Sequence, residues 1–226
     1  MRMPAFLLLP PLLLAFCGPA GADVAPIERA PFHLPVFHND AVGMIDVVLP
    51  AGRETSWHRH SRDFLFVVVR DSELVLQNWG ESPKPPVHWP RGFAGYGAFS
   101  MASLVHRGEN IGAQAMRLVG FELLEPAPRG RTLSARPPAY EQIIDNERLR
   151  GWRLELKPGE SVPAFEQIAP AVRIIVEAGE LVETRDGADH ELALQPAAFQ
   201  WREAGAAPVL RNVGDTTIRL EEFELK

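Results

Sequence analysis

Cysteine is almost absent from this sequence: Cys17 is the only one among 226 residues, and it lies in the apolar N-terminal segment. The rest of the chain therefore has neither a disulfide framework nor a thiolate metal site. A positive charge excess is also lacking, because 23 Lys and Arg residues stand against 29 Asp and Glu residues, for a formal net charge of −6. The electrostatic footprint of a nucleic-acid-binding protein is thus missing, and we expect no nucleic-acid partner.

Long apolar runs are equally scarce, and the one at residues 5–16 has the features of an export signal. Arg2 precedes this run, and Ala20-Gly21-Ala22 offers an A-x-A cleavage site. The run is shorter than the roughly 20 apolar residues that span a bilayer. We predict a signal peptide over residues 1–22 and a periplasmic or secreted protein with no membrane segment after cleavage. A retained anchor and a lipid attached at Cys17 are the alternatives.

The sequence contains an internal repeat. Residues 110–123 align without a gap with residues 212–225, and seven of the fourteen positions are identical. Upstream, residues 38–40 and 145–147 stand at the same distance before two similar segments, 49–52 and 156–159. Since a repeat of this length marks a repeated structural unit, we predict an N-terminal half over 31–125 and a C-terminal half over 139–226.

Both halves have the character of β-structure. Residues 63–77 and 171–184 are rich in Val, Ile, Leu and Phe, and short apolar runs alternate with Pro, Gly and Asp throughout. Such runs are typical of a barrel or a sandwich, and no amphipathic helix of more than three turns is evident. The Pro- and Arg-rich residues 126–138 lack periodicity and are predicted to link the halves.

The strongest chemical signal is the His58-Arg59-His60 triplet. Residues two apart in a strand point to the same face, so the two imidazoles are expected to face one point. Imidazole is a good ligand for Fe, Zn, Cu or Ni. Because two His residues alone rarely retain a metal, a third ligand has to come from another strand.

At this point the sequence resembles the cupin family, whose two motifs occur here in the right order. The matching residues are Gly52, His58 and His60 for the first motif, and Gly95, His106 and Asn110 for the second. The second motif lacks its Pro and its second Gly, which are replaced by Met101 and Ser103. The resemblance covers nearly all of the chain after residue 22. It implies an all-β protein of two tandem cupin-type β-jelly-roll (double-stranded β-helix) halves, a bicupin.

The resemblance also implies a divalent metal ion (Fe, Mn, Ni, Cu or Zn) held by His58, His60 and His106. The carboxylate of the first motif should fall at Phe64 or Leu65, which cannot bind metal; Asp63 is nearby but has the opposite strand parity. Three-His sites occur among cupins, including the thiol dioxygenases. The places equivalent to the three His residues in the second half carry Phe165, Gln167 and Pro208. That half is expected to be a structural partner or, alternatively, a differently lined apolar pocket.

Two functional hypotheses follow for an exported cupin-like protein. In the first, the protein is a metal-dependent enzyme of oxygenase or isomerase type acting on a small organic substrate. In the second, it is a non-catalytic small-ligand-binding or structural bicupin without metal. The fold alone does not select between them, so whether the protein is an enzyme, and which residues are catalytic, stay open. A monomer and a homodimer are both compatible with the tandem repeat.

Overall fold

The computed structural model describes residues 24–124, 133 and 135–226. The predicted signal peptide over 1–22 lies outside the described residues, and so does most of the predicted linker over 126–138. β-Strands dominate the described chain, and its single helical element is a 3-10 turn at Ile27–Arg29. No helix in these ranges has the length and apolarity that a membrane span requires.

The N-terminal half consists of ten strands in two five-stranded sheets. The first sheet has the order β1 (Ala25–Pro26), β4 (His58–His60), β9 (Leu104–Asn110), β6 (Ser72–Asn78) and β7 (Val87–Trp89). The second has the order β2 (His33–His38), β3 (Val42–Leu49), β10 (Met116–Leu123), β5 (Phe64–Arg70) and β8 (Ala94–Gly97). The two sheets enclose an apolar core that includes Ile45, Leu49, Phe64, Leu74 and Leu118.

The C-terminal half repeats this plan with eleven strands. One five-stranded sheet has the order β11 (Tyr140–Asp145), β12 (Leu149–Leu156), β21 (Ile218–Leu225), β15 (Ala171–Glu177) and β18 (Phe199–Arg202). Facing it are a four-stranded sheet of β13 (Ser161–Val162), β20 (Val209–Asn212), β16 (Gly179–Arg185) and β17 (Ala188–Leu194), and the pair β14 (Phe165–Gln167) and β19 (Gly205–Ala207). The prediction of an all-β tandem jelly roll is confirmed.

The aligned asparagines of the repeat form the same hydrogen bonds in both halves. The Asn110 side-chain amide donates to the carbonyls of Leu49 and Gln114, both at 2.8 Å. The Asn212 amide donates to those of Leu156 and Thr216, also at 2.8 Å. These side chains therefore hold the end of the strand to the facing turn. Asn110 belongs to the half that contains the three histidines, and Asn212 belongs to the other half. Because both make the same hydrogen bonds, we assign the asparagine a structural role in the repeat.

The repeated arginines pair with acids across neighbouring strands, although not with the repeated glutamates. Arg117 makes two hydrogen bonds to Asp46, at 3.0 and 2.7 Å, and the Arg219 Nε lies 2.7 Å from a Glu155 carboxylate oxygen. A pair with Glu122 or Glu224 on the same strand is sterically unfavourable, because residues five apart in a strand point to opposite faces.

The two halves pack against each other through the outer faces of two five-stranded sheets, which we call the large sheets: the one that contains β5 and the one that contains β15. One apolar cluster joins Leu65, Val67 and Phe121 of the first half with Val172 and Ile174 of the second. Phe121 and Phe223, which are aligned in the repeat, lie in contact at a centroid distance of 6.0 Å. Each large sheet is therefore apolar on both faces, which accounts for the near-continuous apolar sequences of β5 and β15.

Glu221 is fully buried where the halves meet, and its charge is poorly compensated. One carboxylate oxygen lies 3.3 Å from Arg153, while the other has no hydrogen-bond partner among the described residues. Burial raises the pKa of Glu221 to about 7, although Arg153 and Arg219 act in the opposite direction. Ionisation of this carboxyl in the folded protein is therefore costly.

Glu221→Gln is expected to stabilise the protein above neutral pH. The folded pKa is raised, so the contribution of Glu221 to stability is present below about pH 4.5 and is lost as the pH rises through about 7. The variant should gain roughly 3 kcal/mol over the wild type at pH 8 and less than about 1 kcal/mol at pH 5. Urea unfolding of both proteins at the two pH values measures this, and an equal gain at both would contradict it.

Candidate metal site

The antiparallel pairing of β4 and β9 brings three histidines together. His58 lies directly opposite His106 in the register, and His60 lies opposite Leu104. Because His58 and His60 are two residues apart, both side chains face the barrel interior and both are buried. One ring nitrogen from each of the three histidines lies within 4.8 Å of the others. The structure thus places the three sequence-predicted ligands at one point.

The hydrogen bonds of the rings favour ligation. His58 Nδ1 lies 3.0 Å from the Ser56 carbonyl, which only accepts, so Nδ1 carries the proton and Nε2 keeps its lone pair. His60 Nε2 and His106 Nε2 approach to 3.0 Å. His60 Nδ1 is buried without a partner among the described residues. A metal at typical distances of about 2.1 Å from imidazole nitrogens fits a donor set of this size, and the carbonyl bond fixes the orientation of one ring.

All three rings are held in the neutral form that a metal requires. Burial lowers the pKa of His58 to about 3, that of His60 to about 2 and that of His106 to about 4. Repulsion from neighbouring histidines adds to the effect in each case. A cation at this point therefore meets three lone pairs and no competing proton over the physiological pH range.

The three histidines open onto an apolar cavity of about 100 Å³ inside the barrel. Its walls include Val47, Leu49, Phe64, Phe66 and Leu118. The lining contains no Arg, Lys, Asp or Glu. Any charge bound here is compensated only by the bound ion, so the cavity favours a small molecule with an apolar body.

Two further residues of the cavity were not identified from the sequence. His33 shows no ligand spacing in the sequence, but it lines the cavity, and its ring centroid lies 4.6 Å from that of His58. Trp89 comes from the Pro-rich segment after β6 and stacks on Phe66 at 4.8 Å. His33 lies on β2, far from the His motifs, and only the pairing of β2 with β3 places it here.

Asp63, the acid nearest to the histidines in sequence, does not join them. Its carboxylate accepts hydrogen bonds from the backbone and hydroxyl of Ser100, from the Tyr96 hydroxyl at 2.9 Å and from Arg148 at 3.0 Å. Burial alone would raise the pKa of Asp63, but these hydrogen bonds and the Arg148 charge lower it overall. Because Arg148 belongs to the C-terminal half, Asp63 links the two halves and leaves the three-His cluster without a carboxylate.

Asp63→Asn is expected to destabilise the protein by about 1.5–3 kcal/mol, because it removes a buried charged acceptor of several hydrogen bonds. Its metal content should be unchanged, since Asp63 lies outside the His cluster. Chemical unfolding and elemental analysis measure the two effects. Asp40→Asn, at an exposed acid, is the matched control and should leave both unchanged. Loss of metal in Asp63→Asn alone would contradict this assignment.

The equivalent place in the C-terminal half has no such cluster. Phe165 and Gln167 on β14 lie opposite Ala207 and Gly205 of β19, and Pro208 falls between β19 and β20. His58, His60 and His106 form the single group of potential metal ligands found among the described residues. Ala207 therefore occupies the register position of His106, one residue before the position that the sequence alignment indicated.

The arrangement of two barrels, with His side chains inside the first, defines the fold as a tandem cupin, or bicupin. Solved structures share it. AerE from Microcystis aeruginosa is 15% identical, with a TM-score of 0.60 over 87% of this chain and 98% of its own. Salicylate 1,2-dioxygenase from Pseudaminobacter salicylatoxidans is 14% identical, with a TM-score of 0.57 over 85% of this chain and 75% of its own.

A Cupin 2 conserved barrel domain protein from Leptotrichia buccalis is 10% identical, with a TM-score of 0.51 over 86% of this chain and 88% of its own. Comparisons with models of protein families and with curated protein sequences gave no match. At these identities the likeness establishes the fold, and the chemistry has to be argued from the site itself.

Proposed function

We propose that this protein is an exported metalloenzyme that uses a divalent metal in its N-terminal barrel to oxidise a small organic molecule. The observation that carries the proposal is the convergence of three neutral imidazoles within 4.8 Å of one another at the wall of an apolar cavity. Export is proposed from the N-terminal signal features, with a periplasmic or secreted location.

The chain's own residues have distinct roles in this proposal. His58, His60 and His106 hold the metal, and the Ser56 carbonyl keeps the His58 ring in its ligating tautomer. When bound, the metal would supply Lewis-acid or O2-activating chemistry. The apolar lining excludes water and holds the body of the substrate. His33 donates its Nδ1 proton to the Pro31 carbonyl at 2.9 Å, so its Nε2 is free to accept a proton from a substrate.

The lining also limits the class of substrate. A salicylate 1,2-dioxygenase with the same fold has been solved in complex with gentisate, which carries a carboxylate. Among the described residues, the lining of this cavity contains no cationic side chain to bind a carboxylate. The cavity volume of about 100 Å³ limits the part of the substrate that enters the barrel to a small molecular body. We therefore propose a small, uncharged substrate.

A non-catalytic role is the second candidate. The absence of a carboxylate beside the three histidines favours it, because Asp63 is committed to the contact between halves. In that case the barrel is a ligand pocket or a scaffold. The packing of the two large sheets within one chain supports a monomer in either case.

Oxygen uptake by the metal-loaded protein tests the enzymatic proposal. We expect catechol, which is uncharged, to support uptake, and gentisate and salicylate to support little. A His106→Ala variant, loaded in the same way, should show no uptake. Equal uptake by the variant, or faster uptake with the two carboxylates than with catechol, would contradict the proposal. Metal retention without uptake on any phenol would favour the non-catalytic candidate.

A further inference from the structure

The mouth of the C-terminal barrel contains a second cavity, of about 490 Å³. It lies between β14, β18 and β19, and the residues that line it include Gln167, Gln200, Trp201 and Arg202. Its walls are polar, unlike those of the N-terminal cavity, so it differs from the apolar pocket that was one of the two expectations for this half. Its position corresponds to that of the His cluster, because Gln167 aligns with His60.

Behind this cavity the barrel interior contains a network of buried ion pairs. Its members are linked by the pairs Arg136–Glu222, Arg136–Glu224, Arg173–Glu222, Arg173–Glu183, Arg185–Glu183 and Arg202–Glu183. Four arginines thus share three glutamates. Arg185 is exposed, so the buried members are three arginines and three glutamates whose charges balance in number. Each buried guanidinium therefore depends on a carboxylate that it shares, and a buried charge with a poor counterion is costly.

Arg202, next to the cavity, is the least well compensated of the buried arginines. Its one ion pair, at 3.3 Å, is with Glu183, which also pairs with Arg173 and Arg185. The Arg202 Nε is buried and has no hydrogen-bond partner among the described residues, although the side chain is only 7% exposed. Burial and repulsion from Arg173 lower the pKa of Arg202. An anion beside this guanidinium would relieve both costs.

Gln167 adds an unpaired acceptor to the same cavity. Its amide nitrogen donates to the carbonyls of Ala169 at 2.9 Å and Glu203 at 3.1 Å, which fixes the orientation of the amide group. Its Oε1 is therefore the remaining polar atom, and it has no partner among the described residues. The residue is only 1% exposed and lines the cavity. A ligand with a hydrogen-bond donor would satisfy this oxygen.

We propose that this cavity is a second ligand site, which binds a small hydroxy acid. Its carboxylate pairs with Arg202, and its hydroxyl donates to Gln167. The cavity volume of about 490 Å³ accommodates such a ligand. The charged side chains at the rim limit the charge that the ligand carries. Glu203 lines the cavity and accepts a hydrogen bond from the Trp201 indole at 2.6 Å. Because Glu203 is exposed and screened by solvent, it offsets Arg202 only in part. Arg185 also lines the cavity, so the two arginines and Glu203 leave one net positive charge, which a single carboxylate balances.

The test is ligand-observed NMR and calorimetry with glycolate, lactate and mandelate as probes, and lactamide and mandelamide as neutral analogues. We expect at least one acid to bind and its amide not to bind. Arg202→Lys keeps the charge but removes the planar guanidinium, and should weaken binding roughly tenfold or more. Failure of all three acids to bind, or equal binding of acid and amide, would overturn the proposal.

Rim variants test the sign of the ligand charge without disturbing the buried network. Ala204 is exposed and lines the cavity, so Ala204→Glu should weaken binding of the acid, and Ala204→Gln is its matched control. Glu203→Gln removes an opposing carboxylate and should strengthen binding. Opposite signs, or no change in Ala204→Glu and Arg202→Lys, would overturn the proposal. Thermal unfolding of each variant verifies that it is folded.

The two sites are distinguished by a variant of the first. His58→Ala/His60→Ala should bind the acid as tightly as the wild type does, whether or not the N-terminal site holds a metal. Loss of acid binding in this variant would assign the ligand to the N-terminal cavity and overturn the proposal of a second site.

Discussion

The His58→Ala/His60→Ala variant is expected to lose the metal that the wild-type protein retains through purification. Removing two of three ligands leaves His106, and a single imidazole does not hold a divalent ion against dilution. We expect near-stoichiometric Fe, Mn, Ni, Cu or Zn in the wild type and only a trace in the variant. Elemental analysis of residues 23–226, prepared without a His-tag, measures this.

The matched control removes two histidines that lie outside the cluster. His38 and His190 are exposed, so His38→Ala/His190→Ala should retain the full metal content. Added metal should also raise the thermal midpoint of the wild type and of this control, and leave the cluster variant unchanged, because a ligand stabilises only the state that binds it. Equal metal content in all three proteins, or none in the wild type, would contradict the metal site.

Arg173→Met is expected to destabilise the protein by about 3–5 kcal/mol, because it breaks a buried ion-pair network at its centre. Arg173 is 1% exposed and lies 2.6 Å from both Glu183 and Glu222. Its loss leaves two buried carboxylates with fewer counterions. For a protein of this size the thermal midpoint should fall by roughly 10 °C. Urea unfolding and calorimetry measure the loss.

The pH dependence of this loss identifies its cause. Burial alone would raise the pKa of Glu222, but Arg173, Arg136 and Arg202 hold it at about 2. A depressed folded pKa contributes stability above about pH 4.5, which is lost as the pH falls toward 2. The difference in stability between the wild type and Arg173→Met should therefore be largest near neutral pH and shrink in acid.

The control is Arg70→Met, at an exposed arginine of β5, which should change stability by no more than about 0.5 kcal/mol. A comparable loss of stability in Arg173→Met and Arg70→Met would show that the ion-pair network does not cause it.

Much of the fold was predictable because it is recorded twice. The segments ending in Asn110 and Asn212 keep the same hydrogen bonds because each must close the same turn onto the same strand. The convergence of His58 and His60 followed from strand parity alone. The addition of His106 followed from the cupin resemblance, and the register of β4 and β9 confirmed that it lies opposite His58.

Other parts of the two sites were not accessible from the sequence. Strand parity left open whether Asp63 reaches the histidines. Only the position of Arg148, 85 residues further on, shows that the Asp63 carboxylate joins the two halves. His33 lacked ligand spacing, and the pairing of β2 with β3 places it beside His58. In the second half, Phe165 and Gln167 stand at the places of His58 and His60. From the sequence they indicated only the loss of a metal site.

The sequence by itself determined the all-β class, the division into two halves and the three histidines, because strand period and repeats are local patterns along the chain. The tertiary structure alone decided what surrounds those patterns. It showed that the first barrel is apolar around its histidines and that the second encloses three arginines with three glutamates. Arg136, Arg173 and Arg202 lie far apart in the sequence and meet their glutamate partners only when the sheets close, since burial and counterion distance are properties of the folded barrel.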